Sequence, residues 1–135
     1  MIMIDEKYPI KERYCDMKTC IKIQEHITGL RVQNEGFYAP TGVIYDWETA
    51  EDYFDEKIPV YTQSVALRWM NNMHKRHVEF YAYPHEDGCF YWAYAIFYLN
   101  DKKLVYHKEF QKAGFKSKED AADSAINYFL DNIID

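Results

Sequence analysis

The stretch CFYWAYAIFYLN, from Cys89 to Asn100, constrains the fold more than any other part of the sequence. Large apolar side chains follow one another along it, whereas a strand with one wet face alternates apolar and polar residues. Side chains on both faces of this strand therefore need cover from other parts of the protein. Any fold for the chain must supply apolar layers on the two sides of this segment.

Regular patterns around this segment predict a helix, three strands and a second helix. Thr62 can cap a helix that reaches Arg76, and Ser117 and Asp120 have the spacing of a capping box before another amphipathic helix. The predicted apolar face of the first helix consists of Val65, Ala66, Trp69, Met70 and Met73. The predicted strands are His77–Tyr83, Phe90–Leu99 and Leu104–Phe110, joined by turns at Pro84–Gly88 and Asn100–Lys102.

The predicted fold class is α+β, in the order α-β-β-β-α, with an irregular, partly helical N-terminal region. Residues 58–135 form the predicted α-β-β-β-α domain, and residues 1–57 form a region packed on it. In that region a short helix is predicted over Asp16–Ile27, with Met17, Ile21, Ile23 and Ile27 near one face. Two helices cover only one face of a three-stranded sheet, so the N-terminal region or a second copy of the chain must cover the other.

The N-terminal region contains turn signals and an acidic window. The window is predicted to form a helical turn that ends before Pro59, because the residue before a proline is pushed out of the helical region. The chain has a net charge of -6, and six acids without a base fall within residues 46–56: Asp46, Glu48, Glu51, Asp52, Asp55 and Glu56. This window is interpreted as a solvated helix face or as a surface for a basic partner. One version of the second interpretation is an acidic inhibitor that mimics nucleic acid.

The balance of charge argues against a nucleic-acid partner. Such binding depends on lysine and arginine contacts to phosphates, and the chain as a whole is acidic. Weak nucleic-acid binding stays open as an alternative, because a run of lysines could form one basic face beside exposed aromatic rings. These lysines are Lys102, Lys103, Lys108, Lys112, Lys116 and Lys118.

Length and cysteine usage indicate one compact unit in a reducing compartment. The chain has 135 residues and three cysteines, Cys15, Cys20 and Cys89, an odd number without C-x-x-C spacing. This pattern argues against a disulfide framework or a zinc ribbon and favours reduced thiols in the cytoplasm. Cys89 is predicted to be a small buried residue at a strand entry. No segment has the length of a signal sequence or a membrane span, so no membrane association is expected.

The search for catalytic and metal-binding patterns predicts a protein that is not an enzyme and needs no cofactor. His74 and His77 have a spacing that metal pairs use, but His74 is interpreted as a helix-end residue. His85 and His107 are interpreted as a loop residue and a strand surface residue. Neither a nucleophile elbow nor a phosphate-binding glycine loop is present. An enzyme would require a cleft that gathers one of these histidines or Cys89 with a carboxylate.

Aromatic residues supply the predicted binding surface. They make up 18% of the chain, and tyrosine combines an apolar body with a polar tip, which makes it common at interfaces. The predicted interface on the sheet consists of Tyr81, Tyr83, Tyr91, Trp92, Tyr94 and Tyr98. The expected partner is another protein or a second copy of the chain, and a twofold contact is the simplest arrangement because it buries the same patch twice.

The chain resembles the double-stranded RNA-binding domain in its predicted order of helix, three strands and helix. Its closing segment, GFKSKEDAADSAINYFL, is also similar to the last helix of that family. His85 resembles the loop histidine of that family. The family places lysines at the start of its last helix, and two of these positions here hold Glu119 and Ala122, with Asp120 and Asp123 beside them. The resemblance therefore implies the fold but not the RNA-binding mode, since a carboxylate repels a phosphate.

A second pattern spans about residues 58–134. It consists of Ile58, Pro59, Thr62, Gln63, Trp69, His74, His77, Phe115, Ser117, Glu119, Asp120 and Ala121. In this pattern the chain resembles a family of small uncharacterised proteins from bacteriophages and mobile elements of gut bacteria, from which it departs at Tyr61 and Met70. The resemblance implies a phage or mobile-element origin and implies no activity.

Overall fold

A computed structural model describes residues 13–26, 36–38, 44–45, 58–100 and 105–134. The elements are α1 (Met17–His26), β1 (Gly36–Tyr38), β2 (Ile44–Tyr45), β3 (Ile58–Val60), α2 (Gln63–His74), β4 (Arg76–Pro84), β5 (Phe90–Asn100), β6 (Val105–Phe115) and α3 (Lys118–Tyr128), which continues into a π-helical turn (Phe129–Ile133). The order of α2, β4, β5, β6 and α3 confirms the predicted α+β class and its α-β-β-β-α arrangement.

The main sheet is antiparallel, with β5 between β4 and β6. Its register places Phe80 of β4 opposite Tyr94 of β5. Strand β6 continues to Phe115 rather than ending at the predicted Phe110, and two register shifts against β5 accommodate its length. Gly114 lies at one shift with a φ of 96°, a left-handed conformation that glycine adopts without a steric penalty.

Side-chain caps fix where both long helices begin. The hydroxyl of Thr62 accepts a hydrogen bond from the backbone N–H of Val65 at 3.1 Å. The hydroxyl of Ser117 accepts one from the backbone N–H of Asp120 at 3.0 Å. Each bond satisfies a donor that the first turn of a helix leaves without a partner, so both predicted caps are confirmed.

The last turn of α2 differs from the prediction. The helix ends at His74, because Lys75 adopts a left-handed backbone with a φ of 56° and leads the chain directly into β4. Met73, predicted on the buried face, is 50% exposed. The inward position in this turn belongs to His74 instead, whose ring lies 5.3 Å from that of Phe129.

Alternation along β5 determines which side chains reach the helices. Tyr94 and Ile96 face α3 and are fully buried with Ala121 and Ala125 of that helix. The small alanines let the helix lie close to the sheet. The partly buried residues around this core are Val78, Phe80, Trp92, Phe110, Phe115, Tyr128 and Ile133. We call this side of the main sheet the helical face.

The described N-terminal elements pack on the helices rather than on the main sheet. Cys15, Cys20 of α1, Tyr38 of β1 and Val60 of β3 share a second core with α2 and the end of α3. The described part of the N-terminal region therefore does not supply the predicted cover for the second face of the main sheet. Strand β3 pairs with β1, so residues on both sides of the predicted boundary between 57 and 58 share one small sheet.

Helix α1 forms within the predicted range, and its predicted apolar face is buried in part. Ile23 is buried and Met17 packs against the second core, whereas Ile21 is only half-buried. Thr19 and Cys20 are buried as well. The hydroxyl of Thr19 donates a hydrogen bond to Oδ1 of Asn127 on α3 at 3.2 Å. A polar residue therefore lies on the buried side of α1, a position that the spacing of apolar residues does not predict. The other predicted face residue, at position 27, lies outside the described residues.

Candidate functional site

The candidate functional site is the second face of the main sheet, which points away from α2 and α3. We call it the far face. Its three main cross-strand rows are Tyr81, Ala93 and Ala113; Glu79, Ala95 and Gln111; and His77, Phe97 and Lys108. Tyr83 and Tyr91 form a fourth row at the end nearest the β4–β5 turn. In the first three rows the residues belong to β4, β5 and β6, in that order. The fourth row has residues of β4 and β5 only.

Alanines occupy the middle strand in two rows of the far face. Ala93 is 0% exposed and Ala95 is 5% exposed, although neither points to the helices. Tyr81, which lies opposite Ala93 on β4, is 45% exposed. Ala113 completes the same row on β6 and is exposed. The centre of the far face is therefore closed to solvent, and the exposed groups of these rows lie on β4 and β6.

A hydrogen bond of Tyr91 and ring contacts connect the residues at the turn end of the far face. The hydroxyl of Tyr91 donates to Oδ2 of Asp87 at 2.5 Å, and the same carboxylate accepts from the backbone N–H of Cys89 at 2.9 Å. The first bond lowers the pKa of Asp87 and raises the pKa of Tyr91. The ring of Tyr91 lies 6.3 Å from that of Tyr83 and 5.2 Å from that of His85.

Charges on the far face are of both signs and lie on opposite edges of the sheet. On β4, Glu79 lies 3.7 Å from His77 across an exposed contact. On β6, the ammonium of Lys108 donates to the side-chain carbonyl of Gln111. The described charges of this face therefore nearly cancel, and they are separated by the uncharged strand β5.

Three of the six predicted interface residues do not belong to the far face. Tyr94 is fully buried under α3, where its hydroxyl lies 3.0 Å from Oγ of Ser124. Trp92 packs against the same core. Tyr98 also lies on the helical side, where its ring has the guanidinium of Arg76 at 4.5 Å. All three have even numbers along β5, which places them on the face opposite to that of Tyr91. The burial of Tyr94 corrects its predicted place at an interface, whereas for the half-buried Trp92 and Tyr98 an interface role stays a prediction.

The remaining candidates, Tyr81, Tyr83 and Tyr91, lie together on the far face. The sequence interpretation missed the alanines beside them, Ala93 and Ala95. A signal was present, since large and small residues alternate in the segment WAYA from Trp92 to Ala95. Strict alternation of size along a strand predicts one bulky face and one flat face.

His74 and His77 contact different residues. The ring of His74 packs 4.9 Å from that of Trp69, and desolvation lowers its pKa, with Arg76 nearby lowering it further. His77 belongs by register to a row of the far face, but its Nδ1 lies 3.2 Å from the side-chain nitrogen of Asn71, so its ring contacts α2 at the edge of the sheet. Across the described ranges, no group of three metal-ligating side chains comes together.

The cysteines differ sharply in exposure. Cys15 and Cys20 are buried, and Cys20 lies 3.6 Å from the backbone carbonyl oxygen of Cys15. Burial raises the pKa of the Cys15 thiol and raises the pKa of Cys20 to about 11. Cys89 is exposed, which corrects its predicted burial: it belongs to the β4–β5 turn and precedes the first residue of β5.

The described lysines do not form one basic face. Lys108 lies on the far face, whereas Lys112 lies 5.8 Å from the ring of Phe115 on the helical side. Lys118 lies 5.5 Å from the ring of Phe80, also on the helical side. The lysines at positions 102 and 103 and the acidic window over residues 46–56 lie outside the described residues, so the predictions that rest on them remain predictions.

A polar cleft of about 260 Å³ lies where α2 and α3 begin. Arg13 at its border is already paired with Asp120 at 3.2 Å and with Asp123 at 2.9 Å. The buried amide of Gln63 donates to Oδ1 of Asp123 at 2.7 Å and to the backbone carbonyl oxygen of Glu119 at 2.9 Å. These contacts join the N-terminal segment to both helices, so the cleft is better explained as a structural network than as a ligand site.

Comparison with protein-family models, with curated proteins and with solved structures found no match for this chain. The two family resemblances therefore stay predictions. None of the helices in the described residues has the length and apolar character needed to cross a membrane.

Proposed function

We propose that the protein is a non-catalytic interaction module that binds another protein surface through the far face of its main sheet. The observation that carries this proposal is the exposed ring of Tyr81 on a face that also holds the half-buried rings of Tyr83 and Tyr91. Tyrosine rings are typical of protein interfaces, because they bury a large area with few rotatable bonds.

The balanced charge of the far face favours a protein over a nucleic acid as the partner. A nucleic-acid platform needs lysines or arginines that neutralise successive phosphates. The described charges of the far face are those of Glu79 and Lys108. A face of this kind matches a partner that also carries both signs of charge.

Site-specific photo-crosslinking tests the proposal. p-Benzoylphenylalanine is placed at position 81 of the full chain, and a matched control carries it at position 73. Met73 is 50% exposed on α2 and Tyr81 is 45% exposed on the far face, so the two probes see similar amounts of solvent. Both variants are irradiated in the expressing cells and as purified protein.

The expected result is a protein adduct of defined mass from position 81 and none from position 73. Adducts of equal yield from both positions, or no adduct from position 81, would refute the proposal. An adduct at position 81 that nuclease removes would also count against it, because it would identify nucleic acid as the partner.

A further inference from the structure

We infer that the outer edge of β4 binds an extended segment of another protein, which joins the main sheet as an additional strand. This inference rests on the proposed function, and it names the kind of partner and the way in which it binds. Strand β5 lies between β4 and β6, so one side of β4 faces β5 and the other side is an edge of the sheet. Among the described strands, only β5 pairs with β4.

Two backbone hydrogen bonds show which groups of β4 point to this edge. The N–H of Leu99 donates to the carbonyl oxygen of Lys75 at 2.9 Å, and the N–H of His85 donates to the carbonyl oxygen of Cys89 at 2.9 Å. Between these two bonds, β4 and β5 pair through nine consecutive residue pairs, so the odd-numbered residues of β4 bond to β5. The N–H and C=O groups of its even-numbered residues therefore point to the edge.

The open part of the edge is the uncharged segment over residues 80–84. Phe80 and Ala82 each present an N–H and a C=O group to an added strand, whereas Pro84 presents a C=O group alone. Ala82 and Pro84 are exposed. At the start of β4 the edge is occupied instead, because the side chain of Asn71 on α2 lies 3.2 Å from the ring of His77. An added strand therefore pairs with the second half of β4.

The opposite edge of the sheet, on β6, is protected in ways that this segment is not. Strand β6 has two register shifts against β5, and it carries Lys108 and Lys112. Bulges and lysines are features by which sheets prevent pairing with another chain. Residues 80–84 contain neither, and they pair with β5 without a shift. The two edges therefore differ, and β4 has the one that can accept a strand.

The side chains of the edge determine the chemistry of the partner. An added strand places alternate side chains beside Tyr81 and Tyr83 on the far face, at about 5 Å. Aromatic and β-branched residues form the favourable cross-strand pairs with such rings. The partner is therefore an extended segment with valine, isoleucine, threonine or an aromatic residue at alternate positions. Its binding covers the exposed ring of Tyr81, which links the edge to the proposed interaction surface.

A second copy of the chain fits this edge less well than a single segment does. Antiparallel pairing of two copies across residues 80–84 sets His77 of each copy opposite the β4–β5 turn of the other. Because Asn71 of α2 contacts His77, each turn would meet a helix at that point. A lone segment needs only the spacing of one strand, about 4.8 Å, and it can end before it reaches α2.

Amide hydrogen exchange on the dilute full chain, followed by NMR, tests whether the edge is open. The amides of Tyr81 and Tyr83 bond to β5, whereas those of Phe80 and Ala82 point to the edge. We expect the two edge amides to exchange at least roughly tenfold faster than the two bonded amides. Equal protection of all four amides would overturn the inference, since it would show that the edge is already paired.

A phage-displayed library of random dodecapeptides, selected on the immobilised full chain, supplies the probe of binding. Selected peptides are expected to carry the alternating pattern and to slow exchange of the Phe80 and Ala82 amides. Ala82→Pro removes an N–H that does not bond to β5, and it is expected to weaken peptide binding roughly tenfold. Ala82→Val keeps that N–H, adds a side chain of similar size and should bind as wild type. Far-UV circular dichroism checks that both variants are folded.

A selection that yields no binding peptide would overturn the inference. Peptides that leave the exchange of the Phe80 and Ala82 amides unchanged would overturn it as well, and this measurement on the wild-type chain does not depend on the folding of Ala82→Pro. Slower exchange of both amides when the chain alone is concentrated would overturn the named partner, because it would identify a second copy at the edge.

These outcomes are distinct from a failure of the proposed function. A partner protein that forms an adduct at position 81 but leaves the Phe80 and Ala82 amides exchanging as before overturns strand addition and leaves the far face as the interaction surface. Absence of any adduct at position 81 refutes the proposed function itself.

Discussion

Tyr94 and Tyr91 lie on the same strand and point to opposite faces, so they provide a sharp test of the fold. Tyr94 is fully buried, with its ring 5.6 Å from that of Phe115 and 6.0 Å from that of Phe110. Tyr94→Ala removes this ring and leaves a cavity under α3, which is expected to cost about 3–5 kcal/mol of unfolding free energy. Domains of this size are typically stable by only about 5–15 kcal/mol, so the loss is a large fraction of the total.

The hydroxyl and the ring of Tyr94 contribute separately. Tyr94→Phe keeps the ring and removes the hydrogen bond with Ser124, a change expected to cost about 1 kcal/mol. Tyr91→Ala removes a half-exposed ring from the far face and a bond to the exposed Asp87, so its expected cost is below about 1 kcal/mol. The difference in unfolding free energy between Tyr94→Ala and Tyr91→Ala therefore tests whether these two residues lie on opposite faces of the sheet.

Urea unfolding, followed by far-UV circular dichroism, measures these free energies at a dilute protein concentration where association is negligible. On heating, Tyr94→Ala is expected to lower the melting temperature by roughly 10–20 °C. If Tyr91→Ala destabilised the protein as much as Tyr94→Ala, the assignment of residues to the helical and far faces would be refuted.

Three further predictions concern the thiols, a histidine and a helix cap. At about pH 8, a pKa of about 11 leaves roughly one Cys20 thiol in a thousand ionised, so a thiol reagent should modify Cys89 alone until denaturant exposes the buried cysteines. Two thiols reacting in the folded chain would contradict this. The pKa of His74 is lower in the folded than in the unfolded state, so the unfolded chain binds more protons and stability falls as pH drops below about 6.5. His74→Phe should therefore lose less stability than wild type between about pH 7 and pH 5, and an unchanged loss would refute this role. Ser117→Ala should cost about 1 kcal/mol through loss of the bond to the Asp120 amide, whereas Ser117→Asp should retain most of the stability.

Much of the C-terminal fold can be predicted because its signals are local. The three- and four-residue spacing behind Thr62 predicts α2, and Ser117 predicts the start of α3, since each hydroxyl satisfies donors within its own helix. The long apolar run that begins at Phe90 predicts β5 as the most buried strand. These features depend on neighbours in sequence. The burial of a single side chain depends on tertiary packing instead, and the prediction fails at such a position in Met73, which is 50% exposed.

Assignment of the sheet faces requires more than hydrophobicity. Both faces of β5 are apolar, so Tyr91 and Tyr94 look alike in the sequence although one is half-exposed and the other is fully buried. Successive side chains of a strand point to opposite faces, so Tyr91 and Tyr94 must lie on different faces. Which of the two faces the helices is known only when one contact between the strand and a helix is known. The position of Ala121 and Ala125 against β5 supplies that contact, and it is a tertiary feature without a local signal.

The packing of the N-terminal elements could not be predicted for a related reason. Strands β1, β2 and β3 contain two or three residues each, too few for a period to be recognised. The inward position of Thr19 is decided by Asn127, a partner more than a hundred residues away in the chain. Long-range polar contacts of this kind leave no pattern in the sequence around either residue.

Hydroxyl-radical footprinting in the expressing cells and on the dilute purified protein tests the central claim most directly, namely that the far face binds another protein. Tyr81 and Tyr14 are exposed to similar extents in the single chain, at 45% and 41%, but Tyr14 lies in the N-terminal segment that pairs with Thr62, away from the main sheet. The account predicts that oxidation of Tyr81 is slower in the cells than on the dilute protein, relative to the oxidation of Tyr14. The same ratio of the two oxidation rates under both conditions, or protection of Tyr14 alone, would contradict it.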